Sequence, residues 1–239
     1  MVLWKFIKSI MELYIKKGMS MREKIISNAI TYIEAIFSND TTGHDCYHSL
    51  RVYKTATYIA EKEDANLFIV QLSALLHDVD DYKLAFGNKG LKNARSFLES
   101  NHVSKMEIDV ICDIISQVSF KGGSSYIPST LEGKIVQDAD RLDSIGAIGI
   151  ARTFTYGGSI GRAIYLPEIK SKKFTNIDEY KHYVGTTINH FYEKLLQIKS
   201  EMNTEEGKKL ALQRHVFMEE FLKEFFCEWD CKDISILEL

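Results

Sequence analysis

The sequence has few residues that interrupt helices or cross-link the chain. Proline occurs twice among 239 residues, and the four cysteines are scattered. Two prolines leave long stretches in which a helix can continue without a break. Four separated thiols match neither a disulfide framework nor the paired Cys/His cluster of a structural zinc site. They favour a reducing compartment, and we expect a cytoplasmic protein.

Charge of one sign and uninterrupted apolar runs are also missing. The formal net charge is −3 and basic residues form no long run, which argues against a surface for duplex nucleic acid. Lysines divide the apolar segment at residues 1–20, so we expect neither a membrane span nor a signal peptide there. We treat residues 1–20 as an N-terminal extension without an assigned function, and residues 21–239 as a single domain.

Apolar residues recur with helical spacing along most of the chain, without strand-like alternation or an internal repeat. Residues 67–76 are almost wholly apolar and predict a helix that is buried on all sides. Residues 156–162, with the sequence YGGSIGR, predict a connection. The other predicted helices cover residues 21–37, about 52–60, 91–100, 105–118, 131–154, about 177–201 and 204–228. The pattern predicts an all-α bundle with additional C-terminal helices.

A His-Asp pair lies where the most apolar helix ends, in the sequence SALLHDVDDY. In a helix, His77 and Asp78 project about 100° apart, but both can reach one point beside the helix axis. A buried carboxylate requires a cation or strong hydrogen bonds, and a divalent metal ion would supply the cation. Alone the pair is a weak signal, because a histidine on an apolar face is more often a hydrogen-bonded core residue.

Two other segments offer ligands of the same kind. His48 lies four residues before Val52 and extends the apolar row of its helix. Asp140 and Asp143 follow Val136 by four and seven residues, so the two carboxylates lie roughly on one line. Two imidazoles and two carboxylates form a mixed nitrogen and oxygen set that suits Mn, Mg, Fe, Co, Ni or Zn. We predict a divalent metal ion, with Mn or Mg favoured.

The order His48, then His77-Asp78, then Asp140 resembles the H…HD…D signature of the HD-domain metal-dependent phosphohydrolase superfamily. Longer segments are similar to one bacterial HD subfamily, among them GHDCYHSLRV, LSALLHDVDDYK and LEGKIVQDADRLDSIGAIGIARTF. Some members of that subfamily are similar to nucleoside triphosphate pyrophosphohydrolases. The resemblance covers about residues 22–228. It implies a helical bundle that holds one metal ion between its helices through these four side chains.

A phosphate substrate needs positive charge close to the metal ion. Arg51 lies three residues after His48 and can face the same side of its helix. Lys83 follows the HD pair, and Arg141 follows Asp140 directly. We predict that these three cations bind substrate, and that Arg51 also stabilises charge that develops during the reaction. A structural ion pair is the alternative for each.

Two further carboxylates are candidates for a catalytic role. Asp81 and Asp143 are placed to orient the attacking water or to hold His48. The alternative for Asp81 is a solvated acidic loop, and the alternative for Asp143 is an ordinary ion pair.

The predicted function is that of a metal-dependent phosphohydrolase acting on nucleotides. Metal-activated water would convert a (deoxy)nucleoside triphosphate to the monophosphate and pyrophosphate. Two alternatives stay open: a sensory module that binds metal and nucleotide, and a cyclic-nucleotide or alarmone phosphodiesterase. The apolar C-terminal helix would pack internally or against a second copy, so a homo-oligomer is also left open.

Overall fold

The computed structural model describes residues 18–37, 46–80, 91–118, 126–172, 183 and 185–233. Within these ranges the regular structure is helical and includes no strand, which confirms the predicted all-α fold. None of the described helices is both long and apolar enough to cross a bilayer. The α-helices are α1 (Met21–Ile36), α2 (Cys46–Lys62), α3 (Leu67–Leu76), α4 (Lys92–Ser100), α5 (Lys105–Val118), α6 (Leu131–Asp143), α7 (Gly146–Ser159), α8 (Thr187–Glu193) and α9 (Glu205–Trp229). A 3₁₀ helix (Leu195–Glu201) lies between α8 and α9.

Polar side chains explain where several helices begin. At the start of α1, the Ser20 hydroxyl accepts from the Glu23 backbone N–H while the Glu23 carboxylate accepts from the Ser20 N–H. Asn66, Thr130 and Thr204 each accept from a backbone N–H three residues later and so cap α3, α6 and α9. Each cap satisfies a donor that the helix itself cannot pair, so these residues fix where the helices start.

Helix α3 lies at the centre of the bundle and packs against α1, α2, α5 and α6. Its residues Leu72, Leu75 and Leu76 are completely buried, which confirms the prediction of a helix surrounded by protein. Burial of a leucine side chain stabilises the fold by about 1.5–3 kcal/mol. Because α2 packs on both α3 and α6, side chains at the C-terminal ends of α3 and α6 can meet the first turn of α2.

The prediction of one continuous helix over residues 131–154 is wrong. Helix α6 ends at Asp143, and α7 begins at Gly146 with φ +73°. This left-handed conformation is readily available only to glycine. The break is capped from elsewhere in the chain, because the Arg214 guanidinium on α9 donates to the Leu142 carbonyl. Residues 131–154 therefore contain two helices, separated by Ser144 and Ile145.

Two other sequence predictions also need correction. Helix α7 continues through Ser159, so the first four residues of YGGSIGR are helical. The predicted helix over residues 177–201 is wrong where the structure describes it, because α8 ends at Glu193 and a 3₁₀ helix follows. Lys194, with φ −142° and ψ −58°, separates the two. The last predicted helix, residues 204–228, is confirmed as α9.

Candidate metal centre

Three neighbouring helices bring the predicted metal ligands together. His48 lies in the first turn of α2, while His77 and Asp78 directly follow the last residue of α3. Asp140 lies in the last turn of α6. The close packing of α2, α3 and α6 therefore places two imidazoles and two carboxylates at one point, although they are separated by up to 92 positions in the chain.

The four side chains face one another across short distances. Nε2 of His48 lies 3.4 Å from a carboxylate oxygen of Asp78 and 3.4 Å from one of Asp140. Nε2 of His77 lies 3.3 Å and 3.8 Å from the same two oxygens. The two imidazole centroids are 5.2 Å apart. Both Nε2 atoms and both carboxylates thus surround a common centre.

The other nitrogen of each imidazole is engaged in a way that fixes its orientation. Nδ1 of His77 lies 2.8 Å from the Ala74 carbonyl oxygen, and Nδ1 of His48 lies 2.8 Å from a carboxylate oxygen of Asp143. Both neighbours are acceptors, so we assign the proton of each neutral ring to Nδ1. In that tautomer each Nε2 presents its lone pair to the common centre, as a metal ligand must.

The charges at the centre favour a cation. Burial opposes protonation of His48, but hydrogen bonds to Asp140, Asp143 and Asp78 outweigh it and raise its pKa well above the usual range. Burial likewise opposes protonation of His77, yet the Asp78 carboxylate raises its pKa. The carboxylates therefore favour the protonated imidazoles. A divalent cation bound between them would interact favourably with the same negative charges.

The geometry and the donor types fit a divalent metal ion. One ligand atom from each of His48, His77 and Asp78 lies within 4.8 Å of the other two. The His77 side chain is buried, and its Nε2 faces the Asp78 carboxylate at 3.3 Å. Asp140 has a side chain that is 32% exposed and lies at the open side of the group, whereas both histidines are at most 3% exposed. An ion there would be enclosed by protein on one side and accessible on the other.

Asp143 lies behind His48 and binds two arginines. Arg51 donates from Nε to one carboxylate oxygen at 2.6 Å and from Nη2 to the other at 3.0 Å. Arg152 donates from Nη1 to the oxygen that His48 contacts, at 2.6 Å. Burial works against ionisation of Asp143, but the bonds from His48 and Arg51 outweigh it and hold its pKa far below the usual range. Asp143 is therefore an anion that links His48 to two guanidinium groups.

Sequence reasoning missed Arg152. In a continuous helix, residues nine positions apart lie about 13 Å apart along the axis, too far for Arg152 to reach Asp143. The break between α6 and α7 removes that separation and lets the side chain fold back onto the carboxylate. A glycine at position 146, followed by a second at position 149, was the available signal for such a break.

Three predicted site residues remain: Arg141, Asp81 and Lys83. Arg141 donates to the Glu201 carbonyl and pairs with the Glu201 carboxylate at 3.6 Å. Its role in substrate binding stays a prediction and would require it to leave these partners. Asp81 and Lys83 lie outside the described residues, and their roles also stay predictions.

Two acidic residues next to the predicted ligands have structural roles instead. Asp80 accepts from the backbone N–H groups of Asn93 and Ala94 and so holds the start of α4. Asp138 is completely buried and accepts from Asn203 and Thr204 at the start of α9. Within QDADRLD, Asp140 and Asp143 therefore lie at the candidate metal centre, whereas Asp138 holds the start of α9.

Comparison with known proteins shows the family of the chain. The HD domain family model matches residues 46–145, a range that contains all four candidate ligands. A protein named YpgQ from Bacillus subtilis (strain 168) is 39% identical over 197 residues, which are 81% of this chain and 88% of that protein.

Solved structures of similar chains share the fold. A crystal structure of an HD-superfamily hydrolase from Bacillus thuringiensis is 40% identical, with a TM-score of 0.71, and the match covers 87% of this chain and 98% of that one. A crystal structure of B. subtilis YpgQ in complex with ADP is 34% identical, with a TM-score of 0.70, covering 86% and 95% of the respective chains. Proteins similar over nearly their whole length thus include a hydrolase of this superfamily and a protein that binds ADP.

Proposed function

This chain belongs to the HD-domain superfamily of metal-dependent phosphohydrolases, and from that premise we propose that it hydrolyses a nucleotide. The proposed reaction converts a nucleoside or deoxynucleoside triphosphate to the monophosphate and pyrophosphate by attack of water on phosphorus. One observation carries the proposal. Two imidazole Nε2 atoms and the carboxylates of Asp78 and Asp140 surround one point, and both Nδ1 atoms are engaged elsewhere.

We assign the metal ligands to His48, His77, Asp78 and Asp140, and we propose Mn²⁺ or Mg²⁺ as the ion. A divalent ion held there supplies Lewis acidity, which lowers the pKa of water and polarises a phosphoryl oxygen. The protein contributes two neutral imidazoles in a fixed tautomer, and two carboxylates at the C-terminal ends of α3 and α6. Because the ligand set contains oxygen and nitrogen but no thiolate, it suits these hard or intermediate ions.

The charges beside the centre support a phosphate-containing substrate. Arg51 is one third exposed even though Asp143 accepts from two of its nitrogens. A guanidinium carries five N–H donors in a planar fork, so one group can serve a carboxylate and a phosphate together. We propose that Arg51 binds the phosphates and stabilises the charge that develops on their oxygens.

The proposal includes three further residues whose support is their position in the sequence. Lys83 and Arg141 would bind phosphate oxygens, and Asp81 would orient the attacking water. Asp143 would hold His48, a role that its 2.8 Å contact with Nδ1 supports directly.

A nucleotide is favoured among phosphate esters because a structurally similar chain binds ADP. ADP carries the base, the ribose and a phosphoanhydride, which a nucleoside triphosphate also carries. A site that accepts the first therefore already recognises the groups that the two nucleotides share.

The experiment combines metal analysis with product identification. The purified chain would be loaded with Mn²⁺ and incubated with each nucleoside triphosphate, and the products would be separated by ion-exchange chromatography. We expect bound metal near one equivalent, and monophosphate and pyrophosphate as products. Asp140→Asn should lower turnover at least 100-fold. The control Asp109→Asn changes an exposed carboxylate paired with Arg95 and should keep full turnover.

The possible outcomes separate the proposal from its alternatives. If the products were the nucleoside diphosphate and inorganic phosphate, the bond proposed to be cleaved would be wrong. Nucleotide binding without any product would favour a sensory module, and turnover of only cyclic nucleotides or alarmones would favour a phosphodiesterase. Equal turnover by wild type and Asp140→Asn would refute the assigned site.

A further inference from the structure

We propose that Arg152 is a positioning residue of the metal centre: it holds the Asp143 carboxylate against Nδ1 of His48 and so fixes the direction of His48 Nε2. The inference rests on the proposed function for the identity of the centre. Arg152 lies outside the H…HD…D signature and beyond the HD range at residues 46–145.

The contacts of Arg152 converge on the bond that orients His48. Its Nη1 lies 2.6 Å from the same Asp143 oxygen that His48 contacts, and 3.2 Å from Nδ1 of His48. It also lies 3.5 Å from the Asp143 backbone carbonyl. His48 Nδ1 and Arg51 Nη2 contact this same oxygen at 2.8 Å and 3.0 Å, so Arg152 makes the shortest of three contacts to it.

Arg51 and Arg152 differ in how they hold that carboxylate. Arg51 binds both oxygens side by side and sets the plane of the carboxylate. Arg152 approaches from α7 and donates from Nη1 to the carboxylate oxygen next to His48, and the same nitrogen lies 3.5 Å from the Asp143 backbone carbonyl oxygen. Loss of Arg152 would remove the shorter of the two guanidinium bonds to the oxygen next to His48, 2.6 Å against 3.0 Å, and leave only Arg51 to hold that oxygen against the imidazole.

The break between α6 and α7 places Arg152 beside Asp143. Gly146 adopts φ +73°, and a Cβ at that residue would lie 3.0 Å from side-chain atoms of Arg214. Gly149 is constrained by space, because a Cβ there would clash with the Ser144 carbonyl oxygen. The two glycines allow α7 to start after two intervening residues, with a break between the helices. Arg152 thereby reaches a carboxylate only nine positions earlier.

The test measures binding of Mn²⁺ alone by isothermal titration calorimetry, so that it does not depend on any nucleotide. We expect Arg152→Gln to weaken Mn²⁺ binding 10- to 100-fold, the range typical for residues that orient a metal ligand. Arg152→Lys keeps the charge and a donor, and should recover most of the affinity. Arg95→Gln removes a partly exposed arginine from its pair with Asp109, 3.1 Å away, and should bind like wild type.

A second measurement separates positioning from substrate contact. At saturating Mn²⁺, the KM of Arg152→Gln for the nucleotide should stay within threefold of wild type. A raised KM with unchanged Mn²⁺ affinity would overturn the inference and assign Arg152 to phosphate binding. Equal Mn²⁺ affinity of folded wild type, Arg152→Gln and Arg152→Lys would overturn it as well. Failure of wild type itself to bind Mn²⁺ would instead refute the metal centre on which the inference rests.

Discussion

Replacement of Asp138 tests how the C-terminal helix is attached to the metal centre. The carboxylate is completely buried and accepts from the backbone N–H of Asn203 at 2.9 Å and of Thr204 at 2.8 Å. It also accepts from the Asn203 amide at 2.8 Å and from the Thr204 hydroxyl at 2.7 Å. These donors lie immediately before α9, so Asp138 fixes the point at which that helix begins.

The effect of Asp138→Ala follows from the donors left behind. The Thr204 hydroxyl can turn to another acceptor and Asn203 keeps its bond to Gln137, but the two backbone N–H groups cannot move. Each bond to a charged acceptor stabilises a fold by about 1.5–3 kcal/mol, and a buried donor without a partner is destabilising by about 1–3 kcal/mol. We expect the free energy of unfolding to fall by about 2–5 kcal/mol.

Asp138→Asn provides a sharper version of the same experiment. Both carboxylate oxygens face backbone donors, so an amide NH₂ would point at a donor in either orientation. We therefore expect a loss of at least about 2 kcal/mol although the side chain keeps its size. Urea unfolding monitored by circular dichroism would measure it. Asp109→Asn, at an exposed ion pair, should change stability by less than about 1 kcal/mol. If Asp138→Asn left the free energy of unfolding unchanged, the reasoning would be refuted.

The remaining predictions concern the helix break and pH. Gly146→Ala forces a residue with a side chain into φ +73°, at about 1–2 kcal/mol, and crowds Arg214. It should lower both the unfolding midpoint and Mn²⁺ affinity, whereas Gly158→Ala, in open space on the same helix, should lower neither. Burial, with Lys194 and Arg162 nearby, lowers the pKa of His190 to about 3. The unfolded state, with a pKa near 6.5, therefore takes up a proton first as pH falls. Between pH 7 and 5, wild type should lose about 2 kcal/mol more stability than His190→Gln, and parallel pH profiles would contradict this.

The features that could be predicted from sequence are those set by local pattern. The apolar run at residues 67–76 predicted a helix enclosed by protein, and α3 is that helix. The spacing of Asp140 and Asp143 on α6 predicted one shared face, and both carboxylates contact His48. That these residues ligate a metal stays a prediction, but their proximity follows from the helical period and from the packing of α2 on α3 and α6.

The features that could not be predicted depend on residues distant in the chain. Gly146 and Gly149 permit a break after Asp143 but do not require one, because isolated glycines also occur within helices. The break is stabilised by Arg214, which lies 72 positions after the Leu142 carbonyl that it caps. Likewise, periodicity cannot separate the buried Asp138 from the candidate ligand Asp140, because the donors that distinguish them belong to the start of α9.

Helix α9 is therefore part of the scaffold of the centre, although it contributes no proposed ligand. Asp138, within α6, holds the start of α9, and Arg214 on α9 caps the end of α6. The two contacts fix α6 against α9 at two points and set where α7 begins. The HD range at residues 46–145 contains all four proposed ligands, but Arg152 and Arg214 lie beyond it. A fragment limited to that range would keep the ligands and Asp143, but it would lose Arg152, which holds the Asp143 carboxylate, and Arg214, which caps the end of α6, so we expect it to bind Mn²⁺ weakly.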